Sequence, residues 1–165
     1  MNFNFSDNHK LISKAARDFA VGELAQDAVL RDQKKIWPES QIKQMAELGF
    51  MGMMVSQKWD GGGLDTISYC IAMEEISKVD ASASVIMSVN NSLVCYLIER
   101  FGSNFQKEKY LKKLATGNML GAFSLSEPQS GSDASNMRTV AKKIENGYQL
   151  KGTKNWVTNG HSSDI

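Results

Sequence analysis

The chain has 165 residues, 42% of them hydrophobic and 22% charged, and its 19 basic and 18 acidic side chains leave a formal net charge of +1. A chain of this size buries about 70% of its unfolded surface, so its core needs no disulfide or metal, and its length suits one domain or a domain with a piece of another. A near-neutral chain without runs of like charge has no electrostatic footprint for nucleic acid, and its apolar stretches fall short of the ~20 residues of a membrane span. Transmembrane, collagen-like, disulfide-scaffold and disordered classes are excluded on the same grounds.

The N-terminus carries no basic region, no apolar segment of signal-peptide length and no Arg-rich stretch. The first helix is expected to begin at Ser6 or Asp7, either of which can accept a hydrogen bond from the free N–H groups of a first turn. Ile12, Ala15, Ala16 and Phe19 then make one apolar stripe at helical spacing. Leu24, Ala28 and Leu30 extend a second helix to about Lys34. A third starts at Pro38, whose fixed φ and missing N–H suit a first helical position, and runs through Ile42, Met45 and Leu48 to Gly49.

Residues 50–64 read as irregular, with Gly52 and the run Gly61-Gly62-Gly63. Helix resumes from Asp65 or Thr66 to about Val79, again from Ala83 or Ser84 to Arg100, and last from about Ser103 to Ala115, before Thr116-Gly117-Asn118. The two prolines, Pro38 and Pro128, fall outside all helix interiors.

From Met119 the texture changes. Residues 119–125 form an apolar run of strand length. Residues 138–144 and 148–150 flank Asn146-Gly147, a pair that tolerates the positive φ values of a type I′ turn and so predicts a β-hairpin. Trp156-Val157-Thr158 reads as a further strand, followed by Asn159-Gly160. The fold class is α+β by segregated domains: an all-α helical bundle over residues 1–117, then the first strands of a β-barrel-like domain over 118–165. So few strands leave apolar faces and an open edge, and the sequence reads as cut at Ile165.

Cys70 and Cys95 lie in apolar surroundings without metal-ligand spacing and read as buried free thiols of a reducing compartment, which points to a soluble cytoplasmic protein. Glu74 is expected on the apolar face of its helix, where Ile67, Cys70 and Ile71 surround it and a carboxylate needs a partner. His9 and His161 are too far apart and too unsupported to make a metal site. Met51, Met53 and Met54 are expected to fill gaps in the helical core.

The densest polar cluster is Phe123-Ser124-Leu125-Ser126-Glu127-Pro128-Gln129-Ser130-Gly131-Ser132-Asp133. A strand runs here into a turn rich in hydroxyls, with Gly131 adding backbone freedom. Such a segment presents N–H groups and serine side chains to an electron-rich ligand, or is simply a polar loop. It is neither a Walker loop, lacking Gly-Lys-Ser/Thr, nor a nucleophile elbow with a positioned base. Trp156, taken alone, reads better as a plain core aromatic.

Leu125-Ser126-Glu127-x-x-Ser-Gly131-Ser132-Asp133 resembles the signature of the acyl-CoA dehydrogenases, flavoenzymes that oxidise acyl-CoA thioesters. Further segments match that family in order: Ala46-Glu47-Leu48-Gly49-Phe50-Met51-Gly52, Asp60-Gly61-Gly62-Gly63-Leu64-Asp65, Met73-Glu74-Glu75-Ile76-Ser77 and Gly152-Thr153-Lys154-Asn155-Trp156-Val157-Thr158-Asn159. Ser88-Val89-Asn90-Asn91-Ser92-Leu93 is similar to the short-chain, butyryl-type branch. Ser124 and Asn136 depart from the usual signature by small polar changes.

The resemblance implies that Phe123, Ser124, Leu125, Ser126, Glu127, Gly131 and Ser132 line FAD, and that Ser132 also contacts acyl-CoA. Trp156, Val157 and Thr158 would lie along the flavin, the indole as an apolar wall and Thr158 as a hydrogen-bonding group near the reactive ring edge. It assigns Glu127 to the cofactor loop rather than to catalysis. The catalytic base, a Glu of the C-terminal half, lies outside this chain, as does the C-terminal helical domain through which the family forms homo-tetramers. The implied reaction is α,β-dehydrogenation of a short-chain acyl-CoA to trans-2-enoyl-CoA, with electrons passed to electron-transfer flavoprotein in a bacterial cytoplasm. These residues alone are expected to be inactive. A non-catalytic assembly or binding module on the same fold, or an oxidase-type flavoenzyme, is the alternative.

Overall fold

The computed structural model describes residues 4–165 and comprises a helical bundle and a smaller extended region that contains a two-stranded sheet. Helix α1 (Asp7–Phe19) starts on a capping box, in which the Ser6 hydroxyl accepts from the His9 N–H and His9 Nδ1 accepts from the Ser6 N–H. It widens without a break into a π turn, Ala20–Leu24. After a short turn come α2 (Ala28–Lys34), ended by left-handed Lys35, and α3 (Glu39–Glu47). Pro38 sits just before α3 rather than at its first helical position, and Leu48, expected on its apolar stripe, is exposed.

Two short 3₁₀ turns, Phe50–Gly52 and Gln57–Trp59, order the glycine-containing stretch before α4 (Thr66–Ser77), whose N-cap is Asp65. Helix α5 (Ala81–Phe101) is one continuous rod, π-helical over Val89–Cys95. Its length and hydropathy would suffice for a membrane span, which the interruptions by Ser and Asn conceal in the sequence. In this fold it is the central helix of the bundle, with buried residues along Ala83, Ile86, Met87, Val94 and Cys95. Helix α6 (104–115) begins on a second capping box at Ser103 and ends at left-handed Gly117.

The core forms two joined layers. Phe19, Leu24, Met45, Phe50, Met51, Met53, Tyr69, Ile76 and Met87 fill one; Val55, Trp59, Val94, Cys95, Leu111 and Leu114 fill the other. Met51 and Met53 are buried there as expected, and Met54 packs against them half-buried.

Polar ties between elements sit in this apolar frame. Asn90 Nδ2 donates to the carbonyls of Met51 at 2.8 Å and Leu114 at 3.1 Å, while its Oδ1 accepts from the Gly121 N–H at 3.0 Å. Asn91 Nδ2 donates to the carbonyls of Phe50 and Met87, and its Oδ1 accepts from the Met53 N–H at 2.8 Å. Arg31 Nη2, buried, bridges the Leu24 carbonyl and Asp80, the N-cap of α5. A buried ion pair of this kind fixes the relation of α2 to α5 more than it adds stability.

The face of α4 is displaced by one residue from the expected one. Ser68, Tyr69, Ala72, Glu75 and Ile76 point inward, so Ile67, Cys70 and Glu74 are exposed. The buried carboxylate is therefore Glu75, not Glu74. It accepts from Ser13 Oγ and from Arg17 Nε and Nη2 at 3.0 and 2.9 Å, which ties α4 to α1, while exposed Glu74 pairs with Lys78. Cys95 alone is a buried thiol, and burial pushes its pKa up to about 12; Cys70 is exposed.

The hairpin is present as β1 (Val140–Ile144) and β2 (Gly147–Lys151), paired antiparallel from Val140–Lys151 to Ile144–Gly147. Its turn differs from the expected one. Glu145 and Asn146 form the loop with negative φ, and Gly147, already in β2, carries the positive φ of 153°. Residues 119–125 and 156–158 are not strands of a sheet. They lie antiparallel but touch only at separated points, where Asn155 N–H donates to the Ser126 carbonyl and Asn159 Nδ2 to that of Gly121.

Two outcomes follow. Asn91→Ala strips three buried backbone groups of their partner, and urea unfolding is expected to show a loss of more than about 2 kcal/mol with an unchanged m value. Hydrogen bonds from Arg17 hold the Glu75 carboxyl at about 2, below the ordinary 4.5. The folded state thus binds that proton less readily than the unfolded one, so the contribution is whole above pH 4.5 and is lost on descent toward pH 2. A pH series of thermal melts on Glu75→Gln is expected to show a shallower acid limb than the parent.

Candidate functional site

The loop that follows the helical bundle is built around one carboxylate. Glu127 and Ser130 exchange backbone hydrogen bonds across Pro128-Gln129, closing a tight turn, and the Ser130 hydroxyl donates to the Asp133 carbonyl. The Glu127 side chain points back into the protein. It accepts from the N–H groups of Arg138 at 2.6 Å and Thr139 at 3.0 Å, from Gln129 Nε2 at 2.6 Å and from Lys154 Nζ at 2.9 Å. Those donors, Thr139 and Arg138 foremost, hold its pKa far below the ordinary carboxylate range.

Lys154 also donates to the Leu125 carbonyl at 2.9 Å, and its neighbour Asn155 donates to that of Ser126 at 2.8 Å. The hairpin root closes over the same knot: a Cβ on Gly152 would come within 2.1 Å of Thr139 Oγ1, so only glycine lets the chain pass there.

The outward side of the loop is chemically the reverse. Among the described residues, the N–H groups of Ser124, Leu125, Ser126, Gly131 and Ser132 and the three serine hydroxyls have no protein partner. Ser124, Leu125, Gly131 and Ser132 are exposed and Ser126 is half-buried, while Phe123 leans into the second core layer. This is a row of free donors on two arms, one on each side of the Glu127 turn.

Beside it Trp156 adopts φ 57° and stands 92% exposed. A bulky residue in the left-handed region is strained, and such strain persists only where neighbours enforce it. The enforcing ties are on both sides: Lys154 and Asn155 before it, and buried Asn159, at φ 66°, after it. Val157 and Thr158 turn inward and line a cavity of about 670 Å³. Its opposite wall comes from the helical bundle, through Ile36, Trp37, Val85 and Ile86.

The structure thus gathers the sequence-derived residues in two ways. Ser124, Leu125, Ser126, Gly131, Ser132 and Trp156 form an outward surface, with Val157 and Thr158 at the cavity behind. Glu127 contributes through backbone shape, since its carboxylate is spent within the protein. Lys154 and Asn159 hold this arrangement and were not singled out by sequence reasoning, although the resemblance quoted both. His9 and His161 do not meet: His9 Nε2 lies 3.3 Å from Asp65, and His161 lines the cavity.

The fold is thus a helical domain that feeds an extended region, with unpaired donors, an exposed indole and a cavity at their junction. Residues 6–118 match the family model described as the acyl-CoA dehydrogenase N-terminal domain, and residues 122–165 match its middle domain. The chain belongs to the acyl-CoA dehydrogenase family.

It is 44% identical over 153 residues to the short-chain specific acyl-CoA dehydrogenase of Rattus norvegicus mitochondria, covering 93% of this chain and 37% of that protein. Butyryl-CoA dehydrogenase from Megasphaera elsdenii superposes with a TM-score of 0.93 at 39% identity, over 99% of this chain and 44% of that one. The FAD complex of PigA superposes with a TM-score of 0.91 at 33% identity, over 99% of this chain and 43% of that one. The chain spans about two-fifths of the length of these relatives.

Gly152→Ala forces the hairpin root away from Thr139, whose Cα would lie 2.8 Å from the new Cβ. The expected cost is about 1–3 kcal/mol, and amide exchange should show it confined to β1, β2 and the Glu127 turn.

Proposed function

We propose that these residues form the front of the flavin and acyl site of an FAD-dependent acyl-CoA dehydrogenase with short-chain specificity. The observation that carries the reading is the row of unpartnered N–H and hydroxyl donors at Ser124, Leu125, Ser126, Gly131 and Ser132, set beside exposed Trp156. A flavin ring system is planar, apolar on its faces and rich in acceptors along its edges. That chemistry fits the donor set and the indole together.

Bound FAD supplies the hydride acceptor. In this reading the arms at 124–126 and 131–132 fix its edge and pyrophosphate, Trp156 covers a face, and Thr158 donates near the reactive ring edge. Ser132 also reaches the acyl-CoA. The apolar wall of Ile36, Trp37, Val85, Ile86 and Val157 takes the acyl chain and keeps water from the reacting carbons.

The α-proton goes to a carboxylate outside these residues, and no residue of this chain is assigned as catalytic. The thioester carbonyl must meet hydrogen-bond donors, because stabilising charge on its oxygen acidifies the α-carbon. Electron-transfer flavoprotein takes the electrons, and the working enzyme is a homo-tetramer of the bacterial cytoplasm.

The test is a visible spectrum of the purified enzyme followed by anaerobic addition of butyryl-CoA. Flavin bands that bleach on addition, with no peroxide formed in air, are expected. A colourless protein would overturn the cofactor reading, and rapid peroxide formation would assign an oxidase instead. The 165-residue chain on its own is expected to give no turnover; turnover would place the base within it.

A further inference from the structure

Two side chains at the centre of the loop lie behind the outward donors and connect the segments that carry them. Glu127 joins its own turn, through Gln129, to the first residues of the hairpin and to Lys154. Lys154 joins that carboxylate to the Leu125 carbonyl, and its Nζ also donates to Met137 Sδ at 3.4 Å, which adds the segment before β1. The Glu127 side chain is 2% exposed and that of Lys154 23%.

The two donor arms lie immediately before and after the turn that Glu127 anchors. Trp156 lies two positions after Lys154. Removing either charge therefore shifts donor arms and indole relative to one another, while neither side chain belongs to the core of the helical bundle, which this region joins through Met119, Leu120 and Phe123.

We propose that Glu127 and Lys154 act as a positioning pair for flavin: they set the shape of the donor arms and the left-handed backbone at Trp156, and make no contact with the cofactor themselves. The inference rests on the flavin reading and deepens it. The physical basis is that a buried carboxylate satisfied by several donors, one of them cationic, is a stiff and charge-specific joint. Removing one partner leaves the other uncompensated, which costs far more than the pair contributes.

Glutamine at 127 keeps an acceptor oxygen but turns an NH₂ group toward N–H donors. Methionine at 154 keeps the stem and loses the cation, whereas arginine keeps the cation.

The test compares Glu127→Gln, Lys154→Met, Lys154→Arg and the double variant Glu127→Gln/Lys154→Met with the parent flavoprotein. Flavin affinity is read by fluorescence titration of the stripped protein, band shape by the visible spectrum, and the bundle by far-UV circular dichroism melts. Each neutralising single variant is expected to bind flavin about tenfold or more weakly, a change of about 1.4 kcal/mol or more, with altered band shape and an unchanged helical melt. The double variant should cost no more than the worse single, and Lys154→Arg should recover part of the loss.

Variants that bind flavin like the parent, with its spectrum, overturn the inference and leave the flavin reading intact. Loss of flavin together with loss of the helical melt overturns it in favour of a folding role. A parent that binds no flavin overturns both.

Discussion

Two neighbouring carboxamides in the middle of α5 hold this structure together. Asn90 and Asn91 fall within the π-helical stretch Val89–Cys95. Between them they satisfy the Phe50 and Met51 carbonyls, the Met53 N–H, the end of α6 at Leu114 and the Gly121 N–H. A primary amide is the side chain for this task, because it donates twice and accepts on its oxygen without bringing charge into an apolar layer. The π turn gives two consecutive residues different directions into the protein, so one amide serves the 50–53 turn while the other reaches α6 and the start of the extended region. The loop and the Trp156–Asn159 segment of the candidate site follow the chain's exit from the bundle at Gly121, and Asn90 sets that exit.

Beyond that exit a second polar joint holds the chain. The chain crosses from Gly121 to Glu127 with few ladder bonds, then is gathered by the Glu127 carboxylate. The helical domain supplies one rigid wall of the cavity, Arg31 and Asp80 keeping α2 in place against α5. The loop and the Trp156–Asn159 segment supply the other. Precision at the junction comes from few groups, chief among them the Arg31–Asp80 pair and the Glu127 carboxylate with its four donors. Residues facing outward keep their donors free of protein partners.

How much of this the sequence carried differs by element. Helix starts at Ser6, Asp65 and Ser103 were legible because capping is local chemistry: a short polar side chain meets N–H groups three residues away. The buried face of α4 was not, because it depends on what α4 packs against. Ile67 and Cys70 look like core residues, yet Arg17 on α1 draws Glu75 inward and turns them to solvent.

Asn146-Gly147 predicts the hairpin but places its turn one residue too late, since Gly147 serves as the first residue of β2 rather than as the second residue of the loop. Apolar runs at 119–125 and 156–158 suggested strands from their composition, but strand formation needs a partner ladder, and tertiary ties at Gly121 and Ser126 set their course instead. The serines of the site were legible as motif. The role of Lys154 was not, because a lysine stem of that length shows its partners only in three dimensions.

The strained conformation at Trp156 has an optical consequence. The chain has three tryptophans. Trp59 is buried beneath Lys58 and Lys112, Trp37 is half-buried between cavity and core, and the indole of Trp156 stands in water at the mouth of the site. Their emission therefore divides by environment, from blue for Trp59 to red for Trp156. The red component, open to aqueous quenchers, belongs to the one indole that the proposed flavin site would cover. The molecule carries its own occupancy gauge, and the residue that costs the backbone most is the one that reports.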